Sequence, residues 1–173
     1  KNAVLKLMAA SILARGKTVV RNAPKIKDVF IMAHVLERLG ANVDLSQKGS
    51  VVIDTTDVLN GEAPYELVKQ MRASIIVLGP LLARLQRAKV AMPGGCNIGS
   101  RKIDMHIQGL KKLGARFRVG HGYIQAQTDG LKGALLPLDF PSVGATENLL
   151  MAAVLAEGTT IIENAAREPE VVD

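Results

Sequence analysis

The chain has 173 residues, 48% of them hydrophobic, with 22 Lys and Arg against 16 Asp and Glu; that is enough to bury a core without disulfides or a structural metal. One Cys cannot form an internal bridge and, with three His, cannot build a structural zinc site, while no apolar run of about 20 residues offers a membrane span, so a reducing, cytoplasmic setting is expected with no cofactor. The net charge of +6 suggests an anionic partner, whether nucleic acid, an acidic membrane face or phosphorylated small molecules, and aromatics at 3% with no Trp leave few stacking platforms for nucleic acid, which is not expected as the partner.

In chain order, Leu5, Met8, Ala9 and Ile12 follow helical spacing, with Gly16 as a stop signal, and a short β-branched strand over Thr18 to Val20 comes next. A second helix carries Val29, Met32, Val35, Leu36 and Leu39 on one face and ends at Gly40; two strands then form a hairpin through Gln47 to Ser50. The pattern returns: a strand over Lys89 to Met92, a helix starting near Asp104 with Ile107, Leu110 and Leu113 ending at Gly114, and a hairpin at Gly120 to Gly122. The recurrence is explicit in the letters. LARGKTVVRNA (Leu13 to Ala23) recurs as LAEGTTIIENA (Leu155 to Ala165), with a looser copy from Leu81 to Gly95, and Val35 to Asp54 resembles Gly109 to Gln127.

The expected architecture is therefore α/β, built of units of about 71 to 74 residues that each read helix, strand, helix, strand, strand. Units fall at about 1–70, 71–142 and a partial 143–173, closed by helices packed on sheets rather than stacked as a solenoid. Met8, Met32, Met71, Met92, Met105 and Met151 read as core filling.

The segment PGGCNIGSR, Pro93 to Arg101, is the most unusual. Its glycines allow close approach to a ligand and its amides can bind an anion. It grazes the phosphate-loop pattern but has Ser100 where that pattern needs Lys and Arg101 where it needs a hydroxyl. Cys96 has two readings: a small buried hydrophobe, or, with glycines around it and Arg101 near, an accessible thiol of lowered pKa suited to nucleophilic attack or to protonating carbon. His34 and His121 read as structural or solvated, whereas His106, following this loop, could approach a ligand. Asp104 reads as an N-cap.

Superimposing the units brings Lys1 and Asn2, Gln70 to Arg72, and Val143 and Gly144 to the starts of equivalent helices. Under pseudo-threefold symmetry those N-termini converge at one electropositive end, with Lys1, Arg72 and Arg101 adding to the field; the alternative is ordinary surface cations.

KNAVL at the start, MRASIIVLGPLLAR at 71–84, PGGCNIGSRKIDMHI at 93–107, PSVGATENLLMAAVLAEGTT at 141–160 and IENAAREPEVVD at the end are similar, in order, to motifs of the UDP-N-acetylglucosamine enolpyruvyl transferase family. The resemblance runs through the whole chain. It implies an inside-out α/β barrel of three units, this chain being most of the cysteine-loop domain of a two-domain enzyme whose other domain is missing. It implies transfer of the enolpyruvyl group of phosphoenolpyruvate to the 3-hydroxyl of UDP-N-acetylglucosamine with release of phosphate, a carboxyvinyl transfer that opens peptidoglycan synthesis. By the same resemblance Cys96 is the catalytic proton donor, forms covalent adducts and is the target of fosfomycin; Lys1 and Arg101 are catalytic and hold phosphoenolpyruvate, with Asn2 beside them. Arg72, the run Arg101, Lys102, Ile103, Asp104 and Met105, and the run Phe140, Pro141, Ser142 and Val143 match nucleotide-sugar contacts. Phe140 stands where some members carry Lys, which removes a polar contact. The alternatives are a shikimate 3-phosphate enolpyruvyl transferase and a noncatalytic paralogue of the same fold.

Overall fold

A computed structural model of the chain describes residues 2–57, 60–63, 72–92, 103–120 and 122–172. Helix α1 (Asn2–Ala10) buries Val4, Leu5, Met8 and Ala9, and a 3-10 turn over Ser11–Leu13 carries Ile12 into the same core. The helix tightens because the buried Ser11 hydroxyl donates back to the Met8 carbonyl at 2.6 Å, satisfying an acceptor that would otherwise end unpaired. Gly16, at φ +125°, then turns the chain into β1 (Lys17–Arg21).

Helix α2 (Lys27–Arg38) presents Val29, Met32, Val35 and Leu36 to the core. Gly40 ends it at φ +102°: its N–H donates to the Glu37 carbonyl and the Ala41 N–H to that of Leu36, at 2.9 and 3.0 Å. This six-to-one closure needs a left-handed residue, hence glycine. Strands β2 (Asn42–Asp44) and β3 (Ser50–Asp54) follow, and the sheet order is β1-β3-β2, antiparallel throughout.

The second unit repeats this plan. A 3-10 segment over Arg72–Val77 runs into α3 (Leu78–Leu85), then come β5 (Arg87–Ala91), α4 (Asp104–Lys112), β6 (Arg116–Gly120) and β7 (Tyr123–Gln127). Even the bonds recur: Gly114 and Ala115 close α4 onto the Lys111 and Leu110 carbonyls at 2.9 and 3.0 Å. A third copy begins with α5 (Val143–Ala153) and β9 (Ile161–Glu163), ahead of the short α6 (Pro169–Val172). Asn22 and Asn164, equivalent letters of the two matching motifs, both sit at φ +55°.

Two strands were not expected from the pattern. The two residues of β4 (Glu62–Ala63) pair parallel with β5, and β8 (Leu135–Pro137) pairs parallel with β9. Each extends the sheet that follows it, giving orders β4-β5-β7-β6 and β8-β9. Segments of two or three residues are too short to display a period of two, so only the pairing reveals them.

Helices α1, α3 and α5 occupy the interior and the sheets lie outside. Met8, Ile12, Met32, Leu36, Leu39, Ile53, Leu78, Leu81, Leu82, Leu110 and Leu113 are all below 2% exposed. Met8, Met32, Met105 and Met151 are buried as expected, Met92 is partly buried, and Met71 lies outside the described residues. Close helix packing shows at Gly79, where a Cβ would collide with the backbone carbonyl of Asn148.

Candidate functional site at the helix N-termini

The three interior helices run in one direction. The second unit's 3-10 segment packs on α1, the turn after α1 packs on α3, and α5 packs on both 72–77 and α3. Equivalent heights meet: Asn148 on α5 reaches the Ile75 carbonyl, and Lys6 on α1 reaches Glu147 on α5. Asn2, Arg72 and Val143 therefore lie at one end of the molecule, where Val143 begins its helix. Helix α4 starts at the same end, since His106 lies against Gly144 and Gly109 against Leu149. The segment 93–102 joins the C-terminal end of β5 to this cluster, and Met92 is tied there by its N–H to the Gly122 carbonyl at 2.8 Å.

The fold thus gathers Asn2, Arg72, Ile103 to Met105 and Phe140 to Val143, whereas Lys1, Cys96, Arg101 and Lys102, with His121 and Gln70, lie outside the described residues; Arg72 is placed by its backbone. Asn2, Asp104, Phe140 and Pro141 are exposed, and Ile103, Ser142 and Val143 half-buried. Met105 is 6% exposed, so its side chain belongs to the core and its backbone alone can serve a ligand. Asp104 is not the N-cap: Ile103 holds that position without a side-chain bond, and Asp104 lies in the first turn, where its charge complements the helix dipole. Ser142 does cap α5, its hydroxyl accepting from the Ala145 N–H at 3.4 Å. It leaves the amides of Val143 and Gly144 at an electropositive helix end.

Behind this end stands a buried polar triad that the sequence reading did not assemble. Asn148, fully buried on α5, accepts from the Gly79 N–H through Oδ1 at 2.7 Å and donates through Nδ2 to the Ile75 carbonyl and to His106 Nδ1 at 2.8 Å. An amide nitrogen only donates, so Nδ1 is the acceptor and the His106 proton sits on Nε2. Burial lowers the His106 pKa from 6.5 to about 4, which keeps the ring neutral at physiological pH. Beside it, Glu147 is 3% exposed, with Lys6 Nζ at 3.0 Å. Burial raises its pKa while Lys6 pulls it down. The signal for both was available: the stretch VGATENLLMAA puts Glu and Asn in a helix otherwise apolar enough to be buried all round.

Among the described residues, no three His, Cys, Asp or Glu side chains are grouped as a metal would require, and no helix is long and apolar enough to cross a membrane. What the cluster offers is helix N-termini and free amides, an arrangement that receives anions.

The family model for EPSP synthase (3-phosphoshikimate 1-carboxyvinyltransferase) matches residues 1–173. The chain belongs to the EPSP synthase family. Within it, a relative from Clostridium tetani (strain Massachusetts / E88), UDP-N-acetylglucosamine 1-carboxyvinyltransferase 2, is 52% identical over 174 residues, covering all of this chain and 42% of the relative. The protein of the same name from Carboxydothermus hydrogenoformans is 54% identical over 173 residues, covering all of this chain and 41% of its own length. The chain therefore spans about two fifths of these relatives. Solved EPSP synthase-fold proteins superimpose well: the enolpyruvyl transferase NikO from Streptomyces tendae has TM-score 0.85 at 18% identity, with 99% of this chain and 40% of that one covered. EPSP synthase from Acinetobacter baumannii has TM-score 0.77 at 18% identity, with 99% and 40% covered. At such identity the likeness establishes the enolpyruvyl transferase fold, in keeping with the helix-inside, sheet-outside arrangement.

Proposed function

We propose that this chain is most of the cysteine-loop domain of a two-domain cytoplasmic enzyme that transfers the enolpyruvyl group of phosphoenolpyruvate to the 3-hydroxyl of UDP-N-acetylglucosamine, releasing phosphate. This is the first committed step of peptidoglycan synthesis, and so bears on cell-wall growth, shape and division. The observation that carries the reading is the identity of 52 and 54%, over the whole chain, with two relatives named for that activity. The helix N-termini gathered at one end support it, because both substrates are anionic.

In this reading the substrates lie across the starts of α1, the 72–77 segment, α4 and α5. Lys1 and Arg101 neutralise the phosphate and carboxylate of phosphoenolpyruvate, with Asn2 beside them. The acceptor hydroxyl gives its proton to the carboxylate of the second domain and adds to the enol carbon as the Cys96 thiol protonates the methylene; phosphate then leaves as a methyl proton returns to the Cys96 thiolate. Arg72, Ile103 to Met105 and Phe140 to Val143 hold the nucleotide sugar, mostly through backbone groups. The second domain contributes the remaining catalytic acid and arginine.

The test uses the complete two-domain protein supplied with phosphoenolpyruvate and either UDP-N-acetylglucosamine or shikimate 3-phosphate. Phosphate release should require the nucleotide sugar; release with shikimate 3-phosphate instead would establish the alternative. Cys96→Ala should slow turnover by at least about a hundredfold at neutral pH, as expected for loss of a general acid, and unchanged turnover would remove its role; no phosphate release from the unmutated protein with either acceptor would favour a noncatalytic relative. Fosfomycin should add one equivalent at Cys96, read by mass spectrometry.

A further inference from the structure

We propose that the outer face of the β4-β5-β7-β6 sheet is a second ligand site, built for a small molecule carrying a diphosphate or similarly paired phosphate groups. The face holds a cavity of about 520 Å³ lined by Arg87, Lys89, Arg116, Arg118, Gln125 and Gln127, within the usual range for small-ligand pockets. Strand register sets these side chains in two rows: Arg87, Gln127 and Arg116 in one, Lys89, Gln125 and Arg118 in the next. The two glutamines on β7 are flanked on both sides by cations, from β5 and from β6, whose backbones lie about 10 Å apart across two strand spacings. An anion seated over β7 is met from both sides, with amide donors beneath it.

The cations are in different states of commitment. Lys89 donates to Glu62 at 2.7 Å and lies 4.6 Å from the Tyr123 ring centroid. Arg116 grips Asp129 with both guanidinium nitrogens at 2.7 and 3.0 Å. Arg87 and Arg118 have no acidic partner among the described residues. Two carboxylates against four cations leave the cup with an excess of two positive charges, and the uncommitted pair consists of guanidinium forks, which match phosphate oxygens two at a time.

The fold does not require this charge. Backbone bonds from Thr55 to Gly16 and from Thr128 to Gln86 align the two larger sheets residue by residue. Arg118 then occupies the position of Asp44, Gln127 that of Asp54, Lys89 that of Val19 and Arg116 that of Asn42, and of the four cations only Arg87 falls on an equivalent cation, Lys17. A surface that merely covers the core would have no reason to reverse sign at Asp44 and lose the acid at Asp54. The cup is also separate from the proposed transfer site: Arg87 stands at the opposite end of β5 from segment 93–102, about 13 Å along the strand from Ala91.

Inorganic pyrophosphate titrated into the 173-residue chain, followed by backbone amide NMR, tests the proposal. Saturable shifts should centre on β5, β6 and β7, and Arg87→Gln with Arg118→Gln should weaken binding at least tenfold. Arg→Lys replacements at the same positions should fall in between, and Lys17→Gln with Arg21→Gln on the first sheet should change nothing. Circular dichroism establishes that each variant is folded; should the double variant fail, Arg118→Gln alone carries the comparison. Shifts that do not saturate, that survive the Arg87 and Arg118 replacements, or that appear only at the starts of α4 and α5 would overturn the proposal. So would tighter binding of a ten-residue oligothymidylate than of pyrophosphate on this face, which would mark a polyanion track instead.

Discussion

The first and second units of this chain agree inside and differ outside. Leu36 on α2 and Leu39 at its C-cap match Leu110 on α4 and Leu113 at its C-cap, Val20 matches Val90, and Ile53 matches Ala126, all of them buried. On the solvent faces of the same strands, Val19, Asn42, Asp44 and Asp54 are replaced by Lys89, Arg116, Arg118 and Gln127. The difference separates two demands. Interior positions are held by packing density, where a lost methylene leaves a cavity, while outer sheet positions cost the fold little to change and can be given over to binding.

The largest effects should come from attacking the agreement. Leu36→Ala and Leu110→Ala each empty a fully buried, equivalent position and should each cost about 2–5 kcal/mol in urea denaturation; a marked inequality would mean that the two units do not share their packing. Asn148→Ala comes next, because it strands the buried Gly79 N–H and His106 ring, at about 1–3 kcal/mol for each orphaned group. The neighbouring helices α3 and α5 approach too closely at Gly79 for a bulkier replacement to refill the space.

The pH dependence follows from the same triad. The folded pKa of His106, about 4, lies below its ordinary 6.5, so folding excludes a proton that the unfolded chain accepts between those values. Stability from this group is fully present above pH 6.5 and is lost as the pH falls toward 4, by about 3 kcal/mol in all. Glu147 works the other way: its raised pKa favours the fold in acid, and that contribution disappears as the pH climbs through its folded value. His106→Gln, which keeps an acceptor for Asn148, should flatten the acid limb; Glu147→Gln should steepen it. Thermal melts between pH 4 and 7 distinguish the two. The smallest effect belongs to the divergent outer face, where Arg118→Gln should shift stability by less than about 0.5 kcal/mol while altering anion binding.

Much of the fold was legible in the letters. The helical periodicity around Leu36 and Leu110, the closing glycines Gly40 and Gly114, and the repeated motif ending at Asn22 and Asn164 all reappear as structure, down to equal backbone angles at the two asparagines. These are local signals, set by which residues tolerate a left-handed turn and by which face of a helix is apolar. The short strands β4 and β8 were not legible, because what makes them strands is a parallel partner distant in the chain.

For the candidate site the division is sharper. The resemblance placed Lys1, Asn2, Arg72, Cys96, Arg101 to Met105 and Phe140 to Val143 in one site. Only the packing of α1, α3 and α5 in a common direction brings Asn2, Arg72, Ile103 to Met105 and Phe140 to Val143 to one end, and only strand register places Arg87, Lys89, Arg116 and Arg118 around a common cup. Sequence by itself determined the helices, the longer strands, the repeat and the family, since propensity, periodicity and motif order are carried by neighbours in the chain. The tertiary structure alone decided that Asn148 bridges Gly79 and His106, that Met105 faces inward, and that two sheets of one design present different charge to solvent, one balanced and one in cationic excess. Those outcomes depend on which distant side chains share a small volume at low dielectric, a quantity no local pattern contains.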